Sequence, residues 1–302
     1  MRYRTTSFQG EAVKGSTSLA QPPHIVDILI AERAGGLCRN PLVWRAVRQV
    51  LFPLLHYREA KCLADAIQAL PGAETMDHVA RELAMEVEVT GLDRIPADGS
   101  YFLICNHPTG IADGVALWQA LREKRPDLCF LANRDALRVS PRLNEIVLPV
   151  EWNKDIRSAA RTRDALVAIQ QAVKAGRAIT VFPSGRISYL TMGGLKEREW
   201  LPTIVKLATK FKLPVIPLHL KARNSAFFYA ASRLSTELRD ITLFNEMLNK
   251  RGRTLRLTVG ERIDPDTLRG DVAAVTAALQ GYVGSGAVIG ESWDAWRTRG
   301  DG

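Results

Sequence analysis

The run Tyr101-Phe102-Leu103-Ile104-Cys105 leads directly into Asn106-His107-Pro108-Thr109-Gly110-Ile111-Ala112-Asp113-Gly114. The first five residues are continuously apolar and read as a strand buried on both faces. Pro108 and Gly110 then punctuate the chain, and residues 114–121 read as a helix. Strand, turn and helix in that order open a parallel α/β unit. The turn carries a histidine and a carboxylate. At helical pitch His107 and Asp113 lie on different faces, so they meet only if residues 108–110 bend the chain. With Asp113 opening the helix, the positive helix end favours its charge, and the carboxylate accepts the Nδ1 proton of His107. Nε2 is then left as a base.

The same alternation extends in both directions. Upstream, residues 87–90 alternate as a strand, and 91–99 form a turn-rich link. Downstream, strands are expected at 128–132, 178–182, 215–220 and 254–259, separated by helices at 158–175, 201–211 and 243–249. Gly176 closes the first of these helices. A last helix at 268–282 precedes a Gly-rich tail. This pattern predicts an α/β fold over residues 85–302, with a largely parallel sheet flanked by helices.

Before it, residues 25–84 are expected as an N-terminal helical extension, and residues 1–24, polar and ending in prolines, as a flexible arm. Asn40 and Pro41 supply a helix cap and first turn, Pro53 kinks or ends that helix, and Val43, Val47, Val50, Leu51 and Leu54 recur at helical spacing. Arg39, Arg45 and Arg48 occupy the other face. Two readings stand: a surface helix packed on the core, or a helix lying on anionic lipid.

Of 302 residues, 46% are hydrophobic and 24% charged, as in globular chains with a full core. No apolar run approaches the roughly 18 residues of a membrane span, and residues 1–5 do not resemble a signal peptide. Cys38, Cys62, Cys105 and Cys129 form no C-x-x-C pair or zinc spacing, so free thiols in a reducing, cytoplasmic setting are expected, with no metal. A net charge of +9 implies an anionic partner: nucleic acid, membrane, or a phosphate-bearing substrate. No nucleic-acid-binding signature accompanies the charge, which leaves the other two.

A second punctuated strand end, Phe182-Pro183-Ser184-Gly185-Arg186-Ile187-Ser188, is placed to border the same cleft as His107, because ligands of parallel sheets gather beyond the carboxyl ends of strands. Gly185 allows close backbone approach to an anion, and Arg186 offers a guanidinium clamp; the plain alternative is a turn with a solvated arginine. Cys105 shares the strand face of His107, but a cysteine inside an apolar strand usually serves packing. Ser184 lacks the G-x-S-x-G elbow of a serine nucleophile. His24, His56, His78 and His219 have no carboxylate or histidine at a telling spacing.

Asn106 to Gly114 resembles the first motif of the glycerolipid and lysophospholipid acyltransferase family, N-H-x4-D, lengthened by one residue. The longer form, N-H-P-x-G-x-x-D-G, is similar to that of a hemolysin-like subgroup that includes ornithine-lipid O-acyltransferases. Residues 182–188 resemble the family's phosphate-binding F-P-E-G-T-R-S, with Ser184, Arg186 and Ile187 in the glutamate, threonine and arginine positions. Residues 131–138, with Arg134 and Arg138, fall where the second motif does; Arg134 either contacts an acceptor head group or pairs with Asp135. Residues 215–218 look like the fourth, acyl-lining motif. The runs 222–225 and 248–252, with Ile263, extend the likeness over about residues 85–265.

The resemblance implies an O-acyltransferase acting on the cytoplasmic face of a membrane. Acyl-CoA or acyl-carrier protein would donate a fatty acyl group to a lyso-lipid hydroxyl, with no bound cofactor. His107 would be the base and Asp113 its orienter, with Arg134, Arg138, Ser184, Gly185 and Arg186 as the anion-binding set. A thioesterase using water, or a lipid-binding relative without catalysis, are the alternatives.

Overall fold

The computed structural model describes residues 22–150 and 158–300. Five helices come first: α1 Ile25–Arg33, α2 Gly35–Cys38, α3 Pro41–Leu54, α4 Tyr57–Ile67 and α5 Gly72–Leu83. The arm expected at residues 1–24 lies almost wholly outside the described residues. Asn40 caps α3 by accepting from the amides of Leu42 and Val43, as its sequence position dictates. His24 does have a carboxylate partner, 41 residues away: Nδ1 accepts from Val26 at the start of α1, and Nε2 lies 2.9 Å from Asp65 on α4. Sequence spacing could not reveal that contact.

The remaining elements alternate: β1 Glu86–Thr90, β2 Tyr101–Cys105, α6 Ile111–Leu121, β3 Cys129–Asn133, α7 Asp135–Val139, β4 Val147–Val150, α8 Ala159–Lys174 and β5 Ala178–Val181. Then come the hairpin strands β6 Tyr189–Thr191 and β7 Gly194–Lys196, followed by α9 Thr203–Phe211, β8 Val215–Lys221, α10 Ala226–Leu234, α11 Thr236–Ile241, α12 Leu243–Leu248, β9 Thr254–Val259, α13 Val272–Gly284 and α14 Trp293–Gly300.

Seven strands form one sheet in the order β1-β9-β8-β2-β5-β3-β4. Every neighbouring pair is parallel except β8 and β9. This is the largely parallel sheet flanked by helices that the strand–helix alternation predicts. The most apolar strand lies inside: β2 pairs with β5 on one side and β8 on the other. Strand β1, whose exposed Glu86, Glu88 and Thr90 alternate with half-buried valines, closes an edge.

The alternation of β2 divides the core. Tyr101, Leu103 and Cys105 pack with α4, α5, α6 and α12, whereas Phe102 and Ile104 pack with α8, α9 and α13. The first of these layers also contains Val26, Phe52, Leu63 and Leu83, so the N-terminal helices share a core with the sheet.

Three departures from the sequence reading have local causes. Helix α10 follows a capping serine, Ser225, whose hydroxyl accepts from the Phe228 amide. The Gly-rich tail holds α14, anchored where the Trp293 ring packs against Tyr282. Helix α13 begins at Val272 behind the Asp271 cap, because residues 265–268 form a tighter 3-10 turn.

Candidate active site

Strand β2 ends at Cys105, and the Asn106 amide prolongs its pairing. The Asn106 side chain donates to the Leu220 carbonyl at 2.9 Å and accepts from the Leu220 amide at 2.7 Å, imitating a peptide group. The strand end is thereby pinned to β8. His107 follows, and Gly110, at φ +97°, turns the chain into α6. Asp113 is the third residue of that helix and not its opener, because Gly110 takes the cap position. From there the carboxylate reaches back over the turn.

His107 Nδ1 lies 2.9 Å from Asp113 Oδ2. The same carboxylate accepts from the amides of Thr109 and Gly110, each at 2.9 Å, and from the Thr109 hydroxyl. Asp113 is fully buried, so its oxygens need hydrogen-bond donors, and these supply them. An acceptor-only carboxylate requires a proton on Nδ1, which makes Nε2 the basic nitrogen. Nε2 bonds to no described residue, and the side chain is 17% exposed. The Phe182 ring stacks on the imidazole at 4.2 Å between centroids and holds its plane. Burial pushes the neighbouring Cys105 thiol far up, so it remains a packing thiol.

The turn after β5 closes directly on this loop. Ser188 donates to the His107 carbonyl through its amide at 2.8 Å and its hydroxyl at 3.1 Å. Ser184 is buried; its hydroxyl donates to the Arg186 carbonyl at 2.8 Å and lies 3.1 Å from Glu197 Oε1. The Gly185 amide bonds the Phe182 carbonyl. Of this trio only Arg186 is exposed and without a side-chain bond among the described residues.

Glu197 was not singled out by the sequence. It follows β7 and accepts from the His107 amide at 2.8 Å, from Ser184, and from the Trp200 indole at 2.9 Å. Burial raises its carboxyl above the usual range, opposed by the hydrogen bonds from Trp200, His107 and Ser184. A carboxylate therefore stands beside Ser184, delivered from the hairpin. The signal was the substitution itself: a buried hydroxyl in a carboxylate's position calls for an acceptor.

Arg134 and Arg138 lie apart from this cluster. Asp135 pairs with Arg33 and Arg138, not with Arg134, and Arg138 is held by a fork to Glu32 at 2.6 and 2.8 Å. Arg134 keeps a buried Nε without a partner among the described residues. The two later runs meet: Lys250 Nζ lies 3.2 Å from Asn224 Oδ1, and the Asn224 amide donates to the Thr109 carbonyl at 3.3 Å. Residues 215–218 are core, and it is His219, Leu220 and Lys221 that face a cleft of about 1340 Å³. Among the described residues no cluster of His, Cys, Asp and Glu suits a metal, and no helix is long and apolar enough to cross a membrane.

The sequence profile of the family described as Acyltransferase matches residues 28–276, which span the helical region, the sheet and the dyad. This chain belongs to the acyltransferase family. Two lyso-glycine lipid O-acyltransferases are similar to this acyltransferase. That of Phocaeicola vulgatus is 28% identical over 226 residues, covering 72% of this chain and 79% of its own. That of Bacteroides thetaiotaomicron is 26% identical over 217 residues, covering 70% and 78%. The 1-acyl-sn-glycerophosphate acyltransferase PlsC of Thermotoga maritima superposes with a TM-score of 0.47 at 15% identity, over 87% of this chain and 95% of that one.

Proposed function

We propose that this acyltransferase moves a fatty acyl group from a thioester, acyl-CoA or acyl-carrier protein, to the hydroxyl of a lyso-lipid. His107 Nε2 is the general base and Asp113 the group that orients it. The observation that carries the reading is the dyad: a buried, fully bonded carboxylate 2.9 Å from Nδ1 leaves one basic nitrogen, with no partner for it among the described residues. A thioester is already activated, so only the acceptor hydroxyl needs deprotonation, and transfer is direct. The amides of Thr109, Gly110, Asp113 and Gly185 are engaged, which leaves those of Ile111 and Ala112 at the start of α6 as donors to the tetrahedral oxyanion.

For the acceptor we favour a lyso-lipid with an amino-acid head group, glycine- or ornithine-type, over a lysophospholipid, because both curated relatives are named for a lyso-glycine lipid. Arg186 is the residue we assign to its anionic group, and Arg186→Ala should raise the acceptor KM more than it lowers kcat. The chain would work at the cytoplasmic face of the membrane, touching lipid through α3. Of its apolar residues only Val47 and Phe52 are buried, while Leu42, Val50 and Leu54 are 78%, 60% and 70% exposed beside Arg45 and Arg48. That distribution supports the lipid reading of α3 over the packed one. The test is a panel of lyso-lipids with each donor, with products identified by mass spectrometry. Release of free fatty acid at the same rate with and without acceptor would replace transfer by hydrolysis.

A further inference from the structure

The cleft beside the dyad is larger than a head group needs. At about 1340 Å³ it exceeds the roughly 300–1,000 Å³ of sites for drug-sized ligands, so it suits an extended molecule. Its ionisable lining is nearly all of one sign. Lys196 on β7, Lys221 and Arg223 at the end of β8, and Lys250, Arg253 and Arg256 around the start of β9 line it against one carboxylate, Glu197. Lys250 is committed to Asn224 and Glu246, and Arg256 to Glu88. Lys196, Lys221, Arg223 and Arg253 are exposed and make no hydrogen bond or ion pair with a described side chain. Unpaired like charges around one cavity repel, and a bound polyanion relieves them.

The inner end of the cleft is the catalytic loop. Asn106 and Pro108, on either side of His107, line it, as do Ser188 and Glu197, both bonded to the His107 main chain. On one side Gly281 and Gly284 of α13 and the capping Ser285 line it with small residues, beside Gln280. Arg134, Arg138 and Arg186 do not line it. One end therefore lies against the loop that carries the base, and unpaired cations border the rest.

A thioester donor has the matching form: a reactive carbonyl, a long uncharged pantetheine arm, and a phosphate at its far end. We propose that this cleft seats the phosphorylated pantetheine arm of the donor, its phosphate held by Lys221, Arg223 and Arg253. The assignment rests on the acyl-transfer reading above. An acceptor carboxylate fits less well, because one guanidinium fork satisfies its two oxygens, whereas the donor's phosphate presents more oxygens and more charge to the cluster.

Lys221→Ala, Arg223→Ala and Arg253→Ala, singly and together, test it, with melting temperatures to confirm folding. The triple variant should raise the donor KM about tenfold or more while the acceptor KM stays within about twofold. Wild type should prefer acyl-phosphopantetheine to unphosphorylated acyl-pantetheine, and the triple variant should lose most of that preference. A rise in the acceptor KM alone, or equal losses on both arms, overturns the proposal. Acyl-CoA and acyl-carrier protein, assayed in parallel, separate the sources. Loss with both sustains it, since both carry the arm phosphate; loss with acyl-CoA alone moves the cations to the nucleotide phosphates, loss with the carrier protein alone moves them to a protein contact, and either overturns it. Calorimetric titration with unacylated CoA needs no turnover. Binding abolished in the triple variant supports the cleft even without acyl transfer, and equal binding by both proteins overturns it even where transfer is robust.

Discussion

Asp113 sets the state of His107, because a buried carboxylate with four donors is rigid and accepts only. His107→Ala should lower kcat by about 100-fold or more with the melting temperature little changed, the scale of a lost general base. Asp113→Asn should be nearly as damaging, since the amide presents either an N–H to Nδ1 or a weaker acceptor, and a near-wild-type kcat would show that Nδ1 needs no orienter. Glu197 acts on the same loop from behind. Burial raises its folded pKa above the unfolded value, so its contribution to stability is present below the unfolded value and is lost as pH rises through the folded one. Melting curves from about pH 4 upward, where an ordinary glutamate titrates, should therefore show wild type losing stability relative to Glu197→Gln. Parallel curves would mean that the carboxylate ionises there at no cost.

At the scale of elements, what was legible in the sequence was what the chain writes locally. The apolar runs of β2, β5 and β8, the Asn40–Pro41 cap and the bend between His107 and Asp113 are all short-range features, and the dyad's two members are six residues apart in the chain. What was illegible crosses the sheet. Glu197 lies 90 residues from His107, on a hairpin with no motif, and Asn106 pairs with Leu220 because β2 and β8 are neighbours. Neither relation has a period or a spacing. The two turns also fit each other closely: a Cβ at Gly110 would stand 2.7 Å from Ile187 Cδ1, at a φ of +97° that side chains avoid. Gly110→Ala should thus cost at least about 1 kcal/mol, read as a lower denaturant midpoint. It should also lower kcat, because the same turn aims two amides at Asp113. An unchanged midpoint would show that Ile187 moves away freely.

At the scale of the molecule, the N-terminal helices are not an appendage that can be cut to test membrane contact. Val26, Ile30, Phe52, Leu63 and Ile67 belong to the core layer under β2, so removing residues 25–67 would uncover it. The outward face of α3 offers a cleaner cut. Leu42, Val50 and Leu54 touch solvent, and exchanging all three for serine should leave melting and the turnover of a water-soluble short-chain acceptor unchanged. Binding to vesicles of any composition should fall, because each buried leucine or valine is worth about 1.5–3 kcal/mol at full burial. Arg39, Arg45 and Arg48 supply the second component. Their replacement by glutamine should weaken binding to anionic vesicles only, by up to about 1 kcal/mol for each arginine near the surface. Salt should remove that increment in wild type, since screening acts over about 10 Å at 0.1 M, and leave the apolar part standing. If the serine variant binds vesicles as wild type does, α3 is not the contact; if neutral and anionic vesicles respond alike to the glutamine variant, charge plays no part in it.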